Sequence, residues 1–322
     1  MQAQPSQAAY YGKTPAHGDF LQHRATTPAW REVDDWIQQG LAHAKRLNRT
    51  SLSEAAARAA PVSFLYCARQ SEGALTGVMH PSGDKAGRVY PFVVGVEETT
   101  PTVTGPWAYH LPIQQASFFE EAERFAARAV RGDLEYWSLA DEVDPVATRL
   151  RPFGASEFHK RYLQHTPFRT LVEAIWGHFD DSGKYLLFKN ITDVLLPFRS
   201  EPSLNIAFGM RFPLPSGETM LHAAAFWWEL CYRLTQRRVE RPSCFWTASA
   251  KAADPFLLFF FQPPPPAAIP ELLAVQQDDD RICNLTQMGA ANAVEAALSI
   301  PPHYGTVIES EHISLWEFLC RV

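Results

Sequence analysis

The sequence predicts an α/β protein built as a three-layer αβα sandwich, with a mixed β-sheet and an inserted helical region. Three observations carry that expectation. Short apolar runs of strand character alternate with amphipathic helical stretches towards both ends of the 322-residue chain. Two of those runs, Ser243 to Thr247 and Phe256 to Phe261, read as buried on both faces, and such strands need cover on both sides. From about 113 to 180 the pattern is helical, an insertion on one edge or a small subdomain.

Taken in order, residues 1–8 read as a disordered leader, and the main domain as 9–275. Ala9 to Gly12 is a short strand. Thr27 then caps a helix with Pro28 at its first position, where a missing N–H costs nothing. Trp30, Val33, Ile37, Leu41 and Ala44 recur on one face, Lys45 and Arg46 suit the C-terminal dipole, and Asn48 is a stop. Val62 to Cys67, Ala74 to His80 and Val89 to Val96 read as strands, the last two joined by a Pro- and Gly-bearing loop. Thr99 to Pro112 is irregular. The helical middle is interrupted at Pro145, Pro152 and Pro167. Lys184 to Phe188 and Asn205 to Phe212 read as further strands. Glu218 to Leu234 is a helix with Leu221, Ala225, Trp228 and Cys231 on one stripe. Pro263 to Pro266 reads as a short polyproline spacer. Residues 276–322 form an extension of no assigned role, with small helices at Asn292 to Leu298 and Leu315 to Leu319.

Composition narrows the function classes. With 46% hydrophobic residues a sizeable core can form. The balance of 29 basic to 35 acidic residues, net −6, lacks the basic footprint of a general nucleic-acid binder. No apolar segment reaches membrane-spanning length, so direct membrane insertion is not expected. The residues after Met1 do not read as a secretory signal. The five cysteines form no C-x-x-C pair and read as reduced, mostly buried thiols of a cytoplasmic protein.

Several motifs carry chemical suggestions. Gly12-Lys13-Thr14 invites a phosphate-loop reading, but Gln7 stands where that loop needs glycine, and Pro15 prevents a helix from starting after Thr14. A strand-to-loop turn is the simpler reading, with Gly12 and Gly18 supplying backbone freedom and Asp19 bonding to nearby N–H groups. His17 and Asp19 make an H-x-D pair, which His80 and Asp84 would have to complete in space to hold a metal. Asp278-Asp279-Asp280 reads as a solvated loop. Ser82 and Ser243 lack a strained nucleophile context, and Cys67 reads as inert core. Within Phe226-Trp227-Trp228, aromatic all round one helical turn, Trp227 is expected to face away from the core and mark an interface. No cofactor is implied.

Three segments together resemble a family. The first is Tyr11-Gly12-Lys13-x-Pro15-x-x-Gly18-Asp19-Phe20, with Trp36 in the helix that follows. The second is Pro81-Ser82-x-Asp84-x-x-Gly87-Arg88-x-Tyr90-Pro91-Phe92. The third runs from Phe212-Pro213 through Phe226-Trp227 to Pro242-Ser243-x-Phe245-Trp246-Thr247. In this order they resemble the TagF (ImpM) family of proteins associated with bacterial type VI secretion, over about residues 9 to 275. The resemblance implies an αβα fold and a cytoplasmic, non-enzymatic regulator. It implies post-translational control of secretion-machine assembly, by association with an FHA-domain scaffold protein or other secretion components. The binding face is expected at the two Gly/Pro/Asp loops, with Lys13, Asp19, Asp84 and Arg88 as its charged members. The same four side chains also read as an internal set that fixes the loops to each other. A hydrolase using Asp19 or His17 at those loops, or a structural component of the apparatus, are the alternatives.

Overall fold

Among the described residues nine strands, numbered β1 to β9 along the chain, form one sheet in the order β2-β1-β5-β4-β3-β7-β8-β6-β9. The computed structural model describes residues 7–47, 52–69, 72–99, 108–151, 156–201, 206–236, 241–248, 254–274, 281–286 and 293–322. Residues 1–6 of the expected leader, Asn48, Pro152, Asn205 and the Asp278–Asp280 run lie outside this set. The strands are β1 (Ala8–Gly12), β2 (Leu21–His23), β3 (Val62–Cys67), β4 (Gly73–His80), β5 (Phe92–Thr99), β6 (Gly209–Pro213), β7 (Ser243–Thr247), β8 (Phe256–Phe260) and β9 (Ile282–Asn284). All named pairs are antiparallel except β6 with β9, which makes the sheet mixed.

The two-sided apolarity of the strands has the expected consequence: β1, β3, β4, β5, β7 and β8 each feed two cores. In β3, Leu65 and Cys67 enter one core while Val62, Phe64 and Tyr66 enter the other. β8 divides likewise, Leu257 and Phe259 against Phe256, Leu258 and Phe260. The smaller core is covered by α1 (Pro28–Leu47) and α2 (Leu52–Arg58), which contribute Trp30, Val33, Trp36, Ile37, Leu52 and Ala55. The Trp30 N–H donates to Thr27 Oγ1 at 3.4 Å, the cap read from the sequence.

The opposite face carries most of the helices. They are α3 (Leu111–Gln114), α4 (Ala116–Arg131), α5 (Leu139–Ala147), α6 (Glu157–His165), α7 (Phe168–Trp176), α8 (Ser182–Ser200) and α9 (Met220–Leu234). After α10 (Ala268–Leu272), which belongs to the smaller core, the chain ends in α11 (Ala293–Ser299), α12 (Pro302–Ile308) and α13 (Leu315–Arg321). The described part of 276–322 joins the main body: β9 extends the sheet, and Tyr304, Leu315 and Phe318 enter the larger core.

Four expectations are corrected. Lys184 to Phe188 is the start of α8, not a strand; Asp181 caps it, accepting from Gly183 N at 2.8 Å. A four-residue apolar run carries no period long enough to separate a buried helix from a strand. Pro145 lies inside α5 and does not break it. The prolines Pro263 to Pro266 are no spacer: Pro265 O accepts from Trp36 Nε1 at 3.0 Å, holding the turn onto α1. Trp227 is fully buried, donates to Pro213 O at 3.0 Å, and stacks on Phe212. The surface it was expected to present is covered by Phe188 of α8, while Phe226 beside it meets Phe318 of α13. Elements distant in sequence thus close over α9, so its expected stripe gives way to burial nearly all round.

Gly12 ends β1 at φ +145°, and a Cβ there would lie 2.2 Å from the Pro91 carbonyl oxygen. That closeness lets the two motif loops start side by side. Gly12→Ala is expected to cost on the order of 3 kcal/mol, from backbone strain and overlap together. A urea midpoint matching the wild type would show that the loop adjusts freely.

Candidate functional site

The two motif loops leave the same end of the sheet, because β1 and the start of β5 are hydrogen-bonded neighbours. They are then locked together. Lys13 Nζ donates to Asp84 Oδ2 at 2.8 Å, with the carboxylate wholly buried. Arg88 Nε reaches the same oxygen at 2.6 Å, and Asp84 Oδ1 accepts from the N–H groups of Ala86 and Arg88 at 2.9 Å each. Arg88 also donates to Gly18 O at 3.1 Å, Ser82 Oγ donates to Lys13 O at 2.7 Å, and Lys85 N–H donates to His17 O at 3.0 Å. The Lys13 hydrogen bond, with those from Arg88 and the backbone, holds the Asp84 carboxyl well below the usual carboxylate range despite its burial.

An aromatic layer lies beside this lock. Phe20 stacks on Tyr11 with centroids 5.2 Å apart, meets Tyr90 edge-on at 4.8 Å, and has Lys13 Nζ 4.7 Å from its centroid. Tyr90 and Tyr11 donate to Asp34 of α1 at 2.5 and 3.2 Å. Burial and Asp34 raise both phenols, Tyr11 to about 12. Asp34 was not singled out from the sequence; its only signal is a carboxylate one helical turn from Gln38, which also donates to it at 2.9 Å.

What remains exposed is the rim. Pro15, Asp19 and Phe20 face solvent, and the Arg88 side chain is 64% exposed. Asp19, expected to bond to nearby N–H groups, has no hydrogen bond or ion pair among the described residues. Nor does Gly18 need glycine's freedom: a Cβ there would meet open space, and the left-handed glycine of these loops is Gly87 at φ +78°. His17 reaches across to Tyr136, with ring centroids 5.8 Å apart. Tyr136 and its neighbour Trp137 are 61% and 74% exposed, two large aromatics on a short 3₁₀ turn. The sequence reading passed them over.

Residues 9–146 match the TagF N-terminal domain, described as type VI secretion system-associated. The N-terminal part of the chain thus carries a TagF domain. The fold is similar to the crystal structure of PA0076 from Pseudomonas aeruginosa PAO1, at 15% identity and a TM-score of 0.49, covering 84% of this chain and 96% of that one. No curated protein matches the chain.

Both loops and the Tyr136-Trp137 pair lie inside the TagF domain. Trp36 is buried in it, stacked on Phe245 with centroids 5.4 Å apart. Trp246 and Thr247 lie beyond the domain and are core residues; Thr247 Oγ1 accepts from Phe256 N at 2.9 Å. Pro81 leads the second loop from β4, its carbonyl held 2.9 Å from His80 Nδ1, and Pro91 is buried where that loop re-enters the sheet. The metal grouping of His17, Asp19, His80 and Asp84 does not assemble: His17 Nδ1 bonds to Thr14 Oγ1 at 2.8 Å, and no cluster able to hold a metal occurs among the described residues. Ser243 Oγ accepts from Cys67 N at 3.0 Å inside the core, and burial raises the Cys67 thiol to about 12. No helix among the described residues is long and apolar enough to cross a membrane.

Proposed function

We propose that this TagF-domain protein is a cytoplasmic, non-enzymatic regulator of a type VI secretion system. It acts post-translationally on assembly by binding an FHA-domain scaffold protein through the face built by its two motif loops. The observation that carries this reading is the division of labour within the loops. Lys13, Asp84 and the Arg88 Nε are consumed in an internal lock, which leaves Asp19, Phe20, the outer edge of Arg88, Tyr136 and Trp137 displayed on a rigid support. A pre-ordered face carrying aromatic and arginine side chains is the composition in which interface energy concentrates. The same lock supports the non-catalytic part of the reading. Asp84 is tied up as a structural anion, and among the described residues no oriented base or nucleophile is bonded to Asp19.

The test is direct titration of the purified protein with the FHA-domain protein encoded by its own host. Trp137→Ala is expected to weaken binding at least about tenfold, the scale of a hot-spot aromatic, with no change in melting temperature because the side chain is 74% exposed. Absence of binding by the wild type, or equal binding by Trp137→Ala, Asp19→Ala and the wild type, would remove this face from consideration.

A further inference from the structure

A second concave feature opens on the other side of α4. It is a groove of about 780 Å³ over the sheet, between α4 and the start of α9. Its floor is Phe119 and Trp246, packed edge to face with centroids 4.9 Å apart, with Met220 beside them. Its walls carry Glu120, Glu123 and Glu218, and none of the three has an ion pair among the described residues. Among the described residues the one cation on the lining, Arg124, is already bonded to Glu121 at 2.7 Å. Ser63 also lines the groove, directly across from Trp246 in the β3–β7 register. Ser63 is 1% exposed, and its hydroxyl has no hydrogen-bond partner among the described residues.

We infer that this groove receives an arginine-bearing, otherwise apolar peptide segment of a partner protein. Three unneutralised carboxylates around an aromatic floor complement a cation on an aliphatic stem. Arginine suits the site better than lysine, because its planar fork can pair with two carboxylates at once. The unpartnered Ser63 hydroxyl, deep in the groove, supplies an acceptor for a donor that water would otherwise have to satisfy. The volume is within the ordinary range for a built recognition pocket, about 300–1,000 Å³. The groove does not depend on the motif-loop face: Glu218, Trp246 and Met220 lie outside the TagF domain.

The full-length protein should be titrated with an acetylated Gly-Arg-Leu-Arg-Gly peptide and with the same peptide carrying glutamate for arginine. Binding of the arginine peptide alone is expected, weakening as salt is raised. Replacing Glu120, Glu123 and Glu218 together by glutamine should weaken it about tenfold or more, the sum of three partly exposed ion pairs. These rim substitutions leave the core intact, so an unchanged melting temperature must accompany the loss. Ser63→Ala should weaken binding by a smaller factor. No binding at millimolar peptide, equal binding of both peptides, or equal affinity of the triple variant and the wild type would overturn the inference.

Discussion

Lowering the pH from 6.5 to about 4 is expected to erode the stability of this protein through a buried histidine pair. His159 of α6 and His222 of α9 face each other with their Nδ1 atoms 2.9 Å apart, and their rings lie nearly parallel. One nitrogen must donate and the other accept, so the accepting ring must be neutral and the two rings cannot both be protonated. His110 closes on His159 at 5.3 Å between ring centroids, and Tyr162 stacks on His222 at 4.0 Å. Burial first, then the neighbouring histidines, lowers His159 from 6.5 to about 2, and burial lowers His222 to about 4. The sign follows from linkage. Above pH 6.5 neither state binds these protons and the stability is complete. Below it the unfolded chain takes up protons that the folded chain refuses. The loss continues until the folded pKa is reached, at about 1.4 kcal/mol per pH unit for each histidine. His23 and His80, also held low by burial, act in the same direction. The decisive comparison is therefore with His222→Gln, which keeps a polar partner for His159 and removes one titration. Its urea midpoints across this range should fall less steeply than those of the wild type. Parallel pH dependences of the two proteins would refute the assignment.

The second large effect is expected at Lys13. Lys13→Met removes the principal partner of a carboxylate that has no solvent access, leaving Asp84 to Arg88 and two backbone N–H groups. Stranding a buried charge in this way is among the costliest single changes. A fall in melting temperature on the order of 5 °C or more should follow. The acid limb should change too. In the wild type Asp84 remains ionised well below the usual carboxylate range, chiefly through Lys13. Its contribution is present above the unfolded value of 3.8 and is lost as the pH falls below it. Without Lys13 the folded value rises towards the unfolded one, so less stability is left to lose below that pH. A melting temperature unchanged in Lys13→Met would mean that the loops are not held by this pair.

Much of this architecture was legible from residues alone, and for local reasons. β3, β4, β7 and β8 announce themselves as apolar runs bounded by turn residues, and α1 by its cap and its 3.6-residue period. The weak elements escaped for equally local reasons. β2 and β9 are three residues each, too short for a period, and β9 exists as a strand only by lying parallel to β6. The start of α8 reads as a strand until the chain around it supplies the rest of a nineteen-residue helix. At the candidate site the motif residues read as charges and turns, and their roles diverge in the folded chain. Lys13 and Asp84 are 71 residues apart and meet inside, while Asp19 stands outside with no partner among the described residues.

By itself, the order of apolar and polar residues determined that this protein would be a sheet covered on both faces, since two-sided apolar strands leave no alternative in water. Only the tertiary structure decided which aromatic residues were left for a partner. Trp227, the expected anchor, is sealed by α8 and the strand edge at Phe212, whereas Tyr136 and Trp137 stay mostly exposed, since among the described residues only the His17 ring reaches over their short turn. Exposure is the outcome of long-range packing, which competes for every apolar surface at once, and no local pattern contains that competition.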